Sequence, residues 1–258
     1  MAPMPAPNEK LAEINLFQPI QAIKAWLARR GWALVRLGHP NAVYGRVLPG
    51  ADYRPWFADS DFCKLYEHVR GSTLVDIYRC WELWTVIPQL IGLAPGMILE
   101  VGVWRGGTAA ILAVAGKRAG MLQPIYLCDT FAGVVKAGPQ DGFYKGGEHA
   151  DASRRQVEEL LRSVNITATI LEGVFPDDTA DQLEHQAVRF IHVDVDSYQS
   201  AKDIVTWAWP RLVPGGILVF DDFGFRLCNG IVRLINECYR SDSLILHNLN
   251  GHALIVKR

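Results

Sequence analysis

The chain has 258 residues, of which 50% are hydrophobic and 21% are charged, and its formal net charge at pH 7 is −1. This is the composition of an ordinary folded protein, and the small net charge argues against nucleic acid or an anionic membrane as a partner, because both favour a strongly basic surface. The sequence has no uninterrupted run of about 18 apolar residues, so it predicts no transmembrane helix. Its five cysteines form no CxxC pair, and we expect reduced thiols in a cytoplasmic protein.

Residues 1–70 are predicted to form an N-terminal tail and a cap. Apolar residues recur at helical spacing within 18–37 and predict a helix that ends near Gly31, whereas 38–70 has no clean periodicity and contains three prolines. We therefore expect an irregular segment there. A second helix is predicted over 73–91, and residues 71–258 are predicted to form the main domain.

Beyond Gly96, short apolar runs alternate with helical segments. The runs that predict strands are 97–101, 125–128, 167–171, 190–193, 217–220, 244–246 and 253–256. Such alternation is typical of an α/β protein with a doubly wound, mostly parallel sheet, here of seven strands, covered by helices on both faces. The last two strands lack a long helix between them and predict an antiparallel hairpin at the sheet edge.

Carboxylates follow the first five of these strands. They are Glu100, Asp129, Glu172, Asp194, Asp221 and Asp222. Ligands of open parallel sheets bind at the carboxyl ends of the strands, so these acids are predicted to line one rim. A rim of this kind suits hydroxyl groups, a cation or an aminoacyl group.

The first strand runs into a glycine-rich loop from Glu100 to Thr108. Its spacing does not match the G-x-G-x-x-G loop of dinucleotide-binding proteins, and no Gly-Lys-Ser/Thr triplet follows. The pattern E-x-G-x-x-x-G suits S-adenosylmethionine, which has no pyrophosphate to hold. Asp129, at the end of the next strand, is placed to accept hydrogen bonds from ribose hydroxyls.

Asp194 and the pair Asp221-Asp222 close neighbouring predicted strands, which would crowd three carboxylates together. A divalent cation relieves their repulsion, and an oxygen-only ligand set favours Mg²⁺, Mn²⁺ or Ca²⁺. Asp196 lies two residues beyond Asp194 and is the candidate general base for a cation-bound hydroxyl. The competing interpretation is a solvated loop in which aspartates cap helices.

Several motifs occur in a fixed order along residues 70–258. They are Val101-Gly-Val-Trp-Arg-Gly-Gly107, Asp129-Thr-Phe-Ala-Gly133, Gly173-Val-Phe-Pro176, Ile191-His-Val-Asp-Val-Asp-Ser-Tyr198, and Pro210-Arg-Leu-Val-Pro-Gly-Gly216 followed by Asp221-Asp222. The set resembles the macrocin O-methyltransferase family, bacterial enzymes that methylate deoxysugar hydroxyls of macrolide and aminocoumarin antibiotics.

The resemblance implies a class I methyltransferase (Rossmann-like) fold, S-adenosylmethionine as methyl donor and a Mg²⁺ site. By motif position it implies Asp194, Asp221 and Asp222 as metal ligands and Asp196 as general base. The implied cofactor contacts are Glu100, Val101, Gly102, Trp104, Arg105, Gly106, Thr108, Asp129, Thr130, Gly173, Phe175 and Asp194. The chain departs from the family in its Asp-Val-Asp-Ser-Tyr motif and in the polar, glycine-rich segment 134–151, which we expect to be a lid.

The sequence therefore predicts a metal-dependent O-methyltransferase for a hydroxyl of a sugar or related small natural product or glycan. Two alternatives stay open: an acceptor of the catechol-like phenol class, and a non-catalytic relative that binds S-adenosylmethionine. We expect a small-molecule acceptor, no nucleic-acid or membrane partner, and a homo-oligomer, with a dimer favoured by the aromatic residues of the cap.

Overall fold

The computed structural model describes residues 17–39, 42–48, 50–121, 125–238 and 241–258. The chain divides into two units, 1–48 and 49–258. The predicted tail at 1–16 lies outside the described residues. In the first unit, helix α1 spans Phe17–Ala28, and the chain then turns through Gly31 at φ +78°. The helix ends near Gly31 as predicted but does not continue to residue 37, because this left-handed glycine breaks the helical backbone.

The second unit opens with two capped helices, α2 (Ser60–Val69) and α3 (Ile77–Gln89). Asp59 caps α2 by accepting hydrogen bonds from the backbone N–H groups of Asp61 and Phe62, each at 3.0 Å. Helix α2 corrects the expectation of an irregular segment up to residue 70, since its buried apolar face packs against α3 and against a later helix, α4 (Gly107–Arg118). The predicted boundary at residue 70 between the cap and the main domain stays a prediction, and both α2 and α3 belong to the second compact unit.

The described residues form a sheet of seven strands in the order β3-β2-β1-β4-β5-β7-β6. The strands are β1 (Met97–Val101), β2 (Ile125–Asp129), β3 (Thr169–Glu172), β4 (Val188–Val193), β5 (Leu212–Phe220), β6 (Ser243–His247) and β7 (Ala253–Lys257). The first five are parallel, and β7 runs antiparallel to both β5 and β6. The predicted fold class and the terminal hairpin are both confirmed.

Helices cover both faces of this sheet. Those after the first strand are α4 (Gly107–Arg118), α5 (Arg154–Ser163), α6 (Tyr198–Ala208) and α7 (Asn229–Glu237). Side chains alternate along each strand, so Ile98 and Phe190 pack with α2–α5 in one core, whereas Leu99 and Ile191 pack with α6 and α7 in the other. No helix in the described ranges is long and apolar enough to cross a membrane.

The strand order reverses direction at β1, which has β2 on one side and β4 on the other. In open α/β sheets this arrangement leaves a crevice at the carboxyl ends of the strands, where connecting segments diverge to opposite faces. The glycine-rich loop after β1 and the acids after β4 and β5 all emerge at this crevice.

Candidate active site

A cavity of about 600 Å³ opens at the carboxyl ends of the central strands. Its wall includes Val101 from β1, Asp129 from β2, and Asp194, Asp221 and Asp222, which follow β4 and β5. Four of the six carboxylates predicted for the rim therefore line a real cavity. The other two lie outside its described lining: Glu100 in β1 is fully buried, and Glu172, the last residue of β3, is exposed.

The turn between β1 and α4 needs glycine at Gly102. Its backbone has φ +87°, and a Cβ atom there would lie 1.6 Å from the carbonyl oxygen of Asp194. The close approach brings the backbone of the glycine-rich loop against the segment that carries Asp194 and Asp196. Gly106, also at φ +87°, precedes the first residue of α4.

Asp129 holds the glycine-rich loop in place. Its Oδ2 accepts hydrogen bonds from the backbone N–H groups of Val103 at 2.6 Å and Trp104 at 2.8 Å, and its Oδ1 accepts one from Phe131 at 2.7 Å. A carboxylate has about four acceptor positions, so three are already used by the protein. Asp129 has capacity for one further hydrogen bond, as the expected ribose contact requires.

Eight of the twelve expected cofactor residues line the cavity: Val101, Gly102, Trp104, Thr108, Asp129, Thr130, Phe175 and Asp194. The other four, Glu100, Arg105, Gly106 and Gly173, lie outside its described lining. Glu100 corrects the expectation most clearly, because its side chain is fully buried and its Oε1 is 2.8 Å from Nδ1 of His192. Arg105 instead donates a hydrogen bond to Asp151, at 2.6 Å.

Asp194, Asp221 and Asp222 each place a carboxylate oxygen within 4.8 Å of the others. Burial and the neighbouring carboxylates raise the pKa of Asp194 and of Asp222 well above the usual range. This ligand set of crowded oxygens fits a hard divalent cation, which would supply the missing positive charge.

Asp221 differs from its two neighbours because Arg79 and two histidines, His192 and His252, lie around its carboxylate. Burial alone would raise the pKa of this carboxyl group, but His192, His252 and Arg79 outweigh burial and hold the pKa well below its usual range. His252 places Nε2 2.9 Å from Asp221 Oδ1 and Nδ1 2.5 Å from Glu82 Oε2. Arg79 donates to Asp221 Oδ2.

Sequence reasoning missed Arg79 and His252 entirely. Arg79 lies on α3, where it follows the capping residue Asp76 by three positions, and His252 directly precedes β7. The Asp76–Arg79 spacing is the one sequence signal for this cluster, and it indicates only a local ion pair.

Asp196, the candidate base, lines the same cavity in a left-handed backbone conformation with φ +60°. Its backbone N–H donates to Asp222 Oδ2 at 3.0 Å, which joins it to the acid cluster. Burial raises the pKa of Asp196, although hydrogen bonds from Tyr144 and Cys228 partly oppose the rise.

The segment 134–151 contributes Val134, Tyr144 and His149 to the cavity wall. It is tied to the glycine-rich loop by Asp151, which accepts a hydrogen bond from Trp104 Nε1 at 2.8 Å. It is tied to the start of α6 by Asp141, whose Oδ1 accepts from the Tyr198 backbone N–H at 2.8 Å. The segment thus covers the site, and its opening and closing as a lid stay a prediction.

Two of the curated relatives found by comparison with known proteins have the following named activities. The chain is 29% identical over 155 residues to mycinamicin III 3''-O-methyltransferase of Micromonospora griseorubida, covering 54% of this chain and 59% of the relative. It is 27% identical over 174 residues to 8-demethyl-8-(2,3-dimethoxy-alpha-L-rhamnosyl)-tetracenomycin-C 4'-O-methyltransferase of Streptomyces olivaceus, covering 63% of this chain and 66% of the relative. The chain thus spans less than two thirds of the length of either relative.

Two solved structures share the fold. The O-methyltransferase NovP has a TM-score of 0.59 and 20% identity, with 72% of this chain and 82% of that chain covered. The calicheamicin methyltransferase CalS11 has a TM-score of 0.60 and 17% identity, with 81% and 99% covered.

The family model for macrocin O-methyltransferase (TylF) matches residues 71–251. This match covers well over half of the chain and spans the whole cavity wall from Ser72 to Cys228. The chain belongs to the macrocin O-methyltransferase family.

Proposed function

We propose that the protein is an S-adenosylmethionine-dependent O-methyltransferase that acts on a sugar hydroxyl of a small natural product. One observation carries the proposal: residues of the glycine-rich loop line the same cavity as four aspartates, Asp194, Asp196, Asp221 and Asp222. Family membership supports the reaction class, and the relatives' names specify sugar positions as methylation sites.

The methyl donor would be held by the loop from Val101 to Trp104 together with Asp129 and Phe175, which line the same cavity. S-adenosylmethionine supplies a methyl group on a sulfonium centre, which is transferred to oxygen by in-line displacement. Because Asp129 fixes the loop backbone through three hydrogen bonds, the chain presents a preformed surface to the donor.

Asp194, Asp221 and Asp222 would hold a divalent cation, for which Mg²⁺ is our candidate. A bound cation of this kind lowers the pKa of a hydroxyl oxygen beside it. The raised pKa of Asp194 and Asp222 supports this assignment, because burial and the neighbouring carboxylates outweigh the groups that favour the ionised form of either side chain.

Asp196 is our candidate for the general base. Its carboxylate lies in the cavity wall beside the acid cluster, and its raised pKa makes it a stronger base than an ordinary aspartate. As the new C–O bond forms and the C–S bond breaks, the acceptor hydroxyl gives its proton to Asp196. The products are the methyl ether and S-adenosylhomocysteine.

An acceptor panel tests this proposal against the two alternatives. Purified protein would be given S-adenosylmethionine with a labelled methyl group, Mg²⁺, and either a deoxysugar glycoside, a catechol or no acceptor. We expect label in the glycoside. Label in the catechol alone would show that the acceptor is a phenol and not a sugar. If calorimetry shows that S-adenosylmethionine binds but no label reaches either acceptor, the non-catalytic alternative is favoured.

A homodimer stays a prediction. The prediction rests on six aromatic residues of the cap. Of these, Trp26, Trp32, Tyr53 and Phe57 are exposed and Tyr44 is half-buried, whereas Trp56 is buried against Tyr78. Chromatography with light scattering on the full chain measures the mass directly.

A further inference from the structure

Arg79 is a buried arginine in contact with the acid cluster. Its residue is only 6% exposed, and its side chain extends from α3 into the cavity wall. Nε donates to Asp76 Oδ2 at 3.0 Å, Nη1 donates to Asp221 Oδ2, and Cζ lies 4.6 Å from the centre of the Phe225 ring. The guanidinium group is thus fixed by two carboxylates and an aromatic face.

This contact leaves Asp221 with both oxygens engaged. Oδ1 faces Nε2 of His252 at 2.9 Å, and Oδ2 accepts from Arg79. Yet Asp221 also belongs to the group of three aspartates whose oxygens lie within 4.8 Å of one another. A divalent cation that binds this group meets either the His252 contact at Oδ1 or the guanidinium at Oδ2 of Asp221. Two positive charges this close to one carboxylate repel each other strongly in a buried site, so the cation and Arg79 compete for Asp221.

Arginine suits this position because it stays charged and makes directional hydrogen bonds to carboxylates. A buried carboxylate without a cation is costly, so the metal-free cluster needs a positive charge of its own. Asp76 and the Phe225 ring offer the guanidinium a second set of contacts that does not involve Asp221. The Arg79 side chain can therefore keep its contacts with Asp76 and Phe225 after another cation binds Asp221.

We propose that Arg79 is an internal counter-cation of the metal site. It occupies the Asp221 side of the acid cluster when no divalent ion is bound, and metal binding moves its Nη1 away from Asp221. The inference rests on the metal site in the proposed function and adds to it a residue that sets the metal affinity. Arg79 stabilises the metal-free protein at the expense of that affinity.

The test measures divalent-cation affinity directly. Metal-free wild type, Arg79→Met and Arg79→Lys would be titrated with Mg²⁺ by calorimetry, and the melting temperature of each metal-free protein would be recorded. We expect Arg79→Met to bind Mg²⁺ at least about tenfold more tightly than wild type and to melt at a lower temperature without metal. Arg79→Lys, which keeps the charge, should stay close to wild type in Mg²⁺ affinity.

The opposite results separate the two claims. If wild type binds Mg²⁺ and Arg79→Met binds it equally or more weakly, Arg79 does not compete with the metal. The counter-cation role is then wrong, while the metal site stands. If neither protein binds Mg²⁺ at millimolar concentration, the metal site itself falls and takes the inference with it.

A second measurement uses wild-type protein and so does not depend on the variants folding well without metal. In protein labelled with ¹⁵N-arginine, the Nε–H signal of Arg79 is identified by its absence in Arg79→Lys or Arg79→Met, whichever is folded. We expect this signal to shift as Mg²⁺ saturates the site, because the guanidinium changes partners. A signal that is unchanged at saturation would overturn the inference.

Discussion

Asp196 carries the chemical step in the proposed reaction. Replacing it with asparagine keeps the shape of the side chain but removes its capacity to take a proton. We expect Asp196→Asn to lower turnover by about 10² to 10⁴-fold, the range typical of a general base, while S-adenosylmethionine binds with wild-type affinity. Turnover is measured with labelled donor, and donor affinity by calorimetry.

Asp181→Asn is the matched control for this change. Asp181 is exposed in a short helical turn and lies outside the described cavity lining, so its variant should retain wild-type turnover. If Asp196→Asn turns over as fast as Asp181→Asn, Asp196 is not the general base. The proposed S-adenosylmethionine site would not be affected by that result.

At the residue scale, sequence reasoning recovers side chains that belong to contiguous motifs. Asp194, Asp196, Asp221 and Asp222 all reach the cavity because a strand end fixes where each one emerges. Glu100 lies outside the cavity wall. Successive side chains of β1 point to opposite faces of the sheet, and the Glu100 carboxylate contacts the ring of His192 on β4. The direction of one side chain at a strand end is a matter of register, which a motif alone does not specify.

At the scale of elements, the turn between β1 and α4 depends on the space at Gly102. An alanine there must adopt φ +87° and also place its Cβ atom against the Asp194 carbonyl oxygen. We expect Gly102→Ala to lower the free energy of unfolding by at least about 2 kcal/mol, because strain and a backbone clash add together. Urea denaturation of the metal-free protein measures the loss.

Gly120 provides the control for Gly102. It follows α4 at φ +74°, but a Cβ atom there meets nothing within 4 Å. Gly120→Ala should therefore cost only the strain of the left-handed backbone, about 1 kcal/mol. Equal losses in the two variants would show that the close approach to Asp194 contributes nothing to stability.

The elements themselves differ in how well their residues predict them. Strands β1, β2, β4 and β5 are buried apolar runs, and each was found within a few residues of its bounds. Helix α2 does have a local signal, because Asp59 is a capping residue and Phe62, Leu65 and Val69 recur at helical spacing after it. The expectation of an irregular segment was wrong because three prolines earlier in 38–70 were given more weight than this short pattern.

For the molecule as a whole, the charges at the site predict how metal-free stability depends on pH. Asp194 and Asp222 have raised pKa values, so the stability they contribute is present below about pH 4 and is lost as pH rises through their folded-state values. Burial lowers the pKa of His192, but Asp221 and Glu100 outweigh it and raise that pKa to about 10, so its contribution declines above about pH 6.5. The depressed pKa of Asp221 adds stability that is constant above about pH 4.

We therefore expect the melting temperature of the metal-free protein to fall as pH rises from about 5 to 9. Saturating Mg²⁺ should flatten this slope by compensating the ionised carboxylates, and Asp222→Asn should flatten it without metal. A melting temperature that rises across the same interval would contradict the charge arrangement of the site.

The overall architecture was predictable because it follows from patterns that repeat along the whole chain. Seven apolar runs separated by helical segments specify the sheet, and the missing helix before β7 specifies the antiparallel edge. The partners of Asp221 were not predictable, because Arg79 lies on α3 and His252 directly precedes β7, more than 160 residues farther along the chain. Such a cluster exists only after the chain has folded.

The central claim is that the aspartate cluster makes methyl transfer depend on a divalent cation. The most direct measurement is transfer of labelled methyl from S-adenosylmethionine to a deoxysugar glycoside by metal-free enzyme, in excess chelator and again after Mg²⁺ is added beyond the chelator. We predict no transfer above background in chelator and full recovery with Mg²⁺, with Asp222→Asn inactive in both conditions. Undiminished transfer in excess chelator would contradict it.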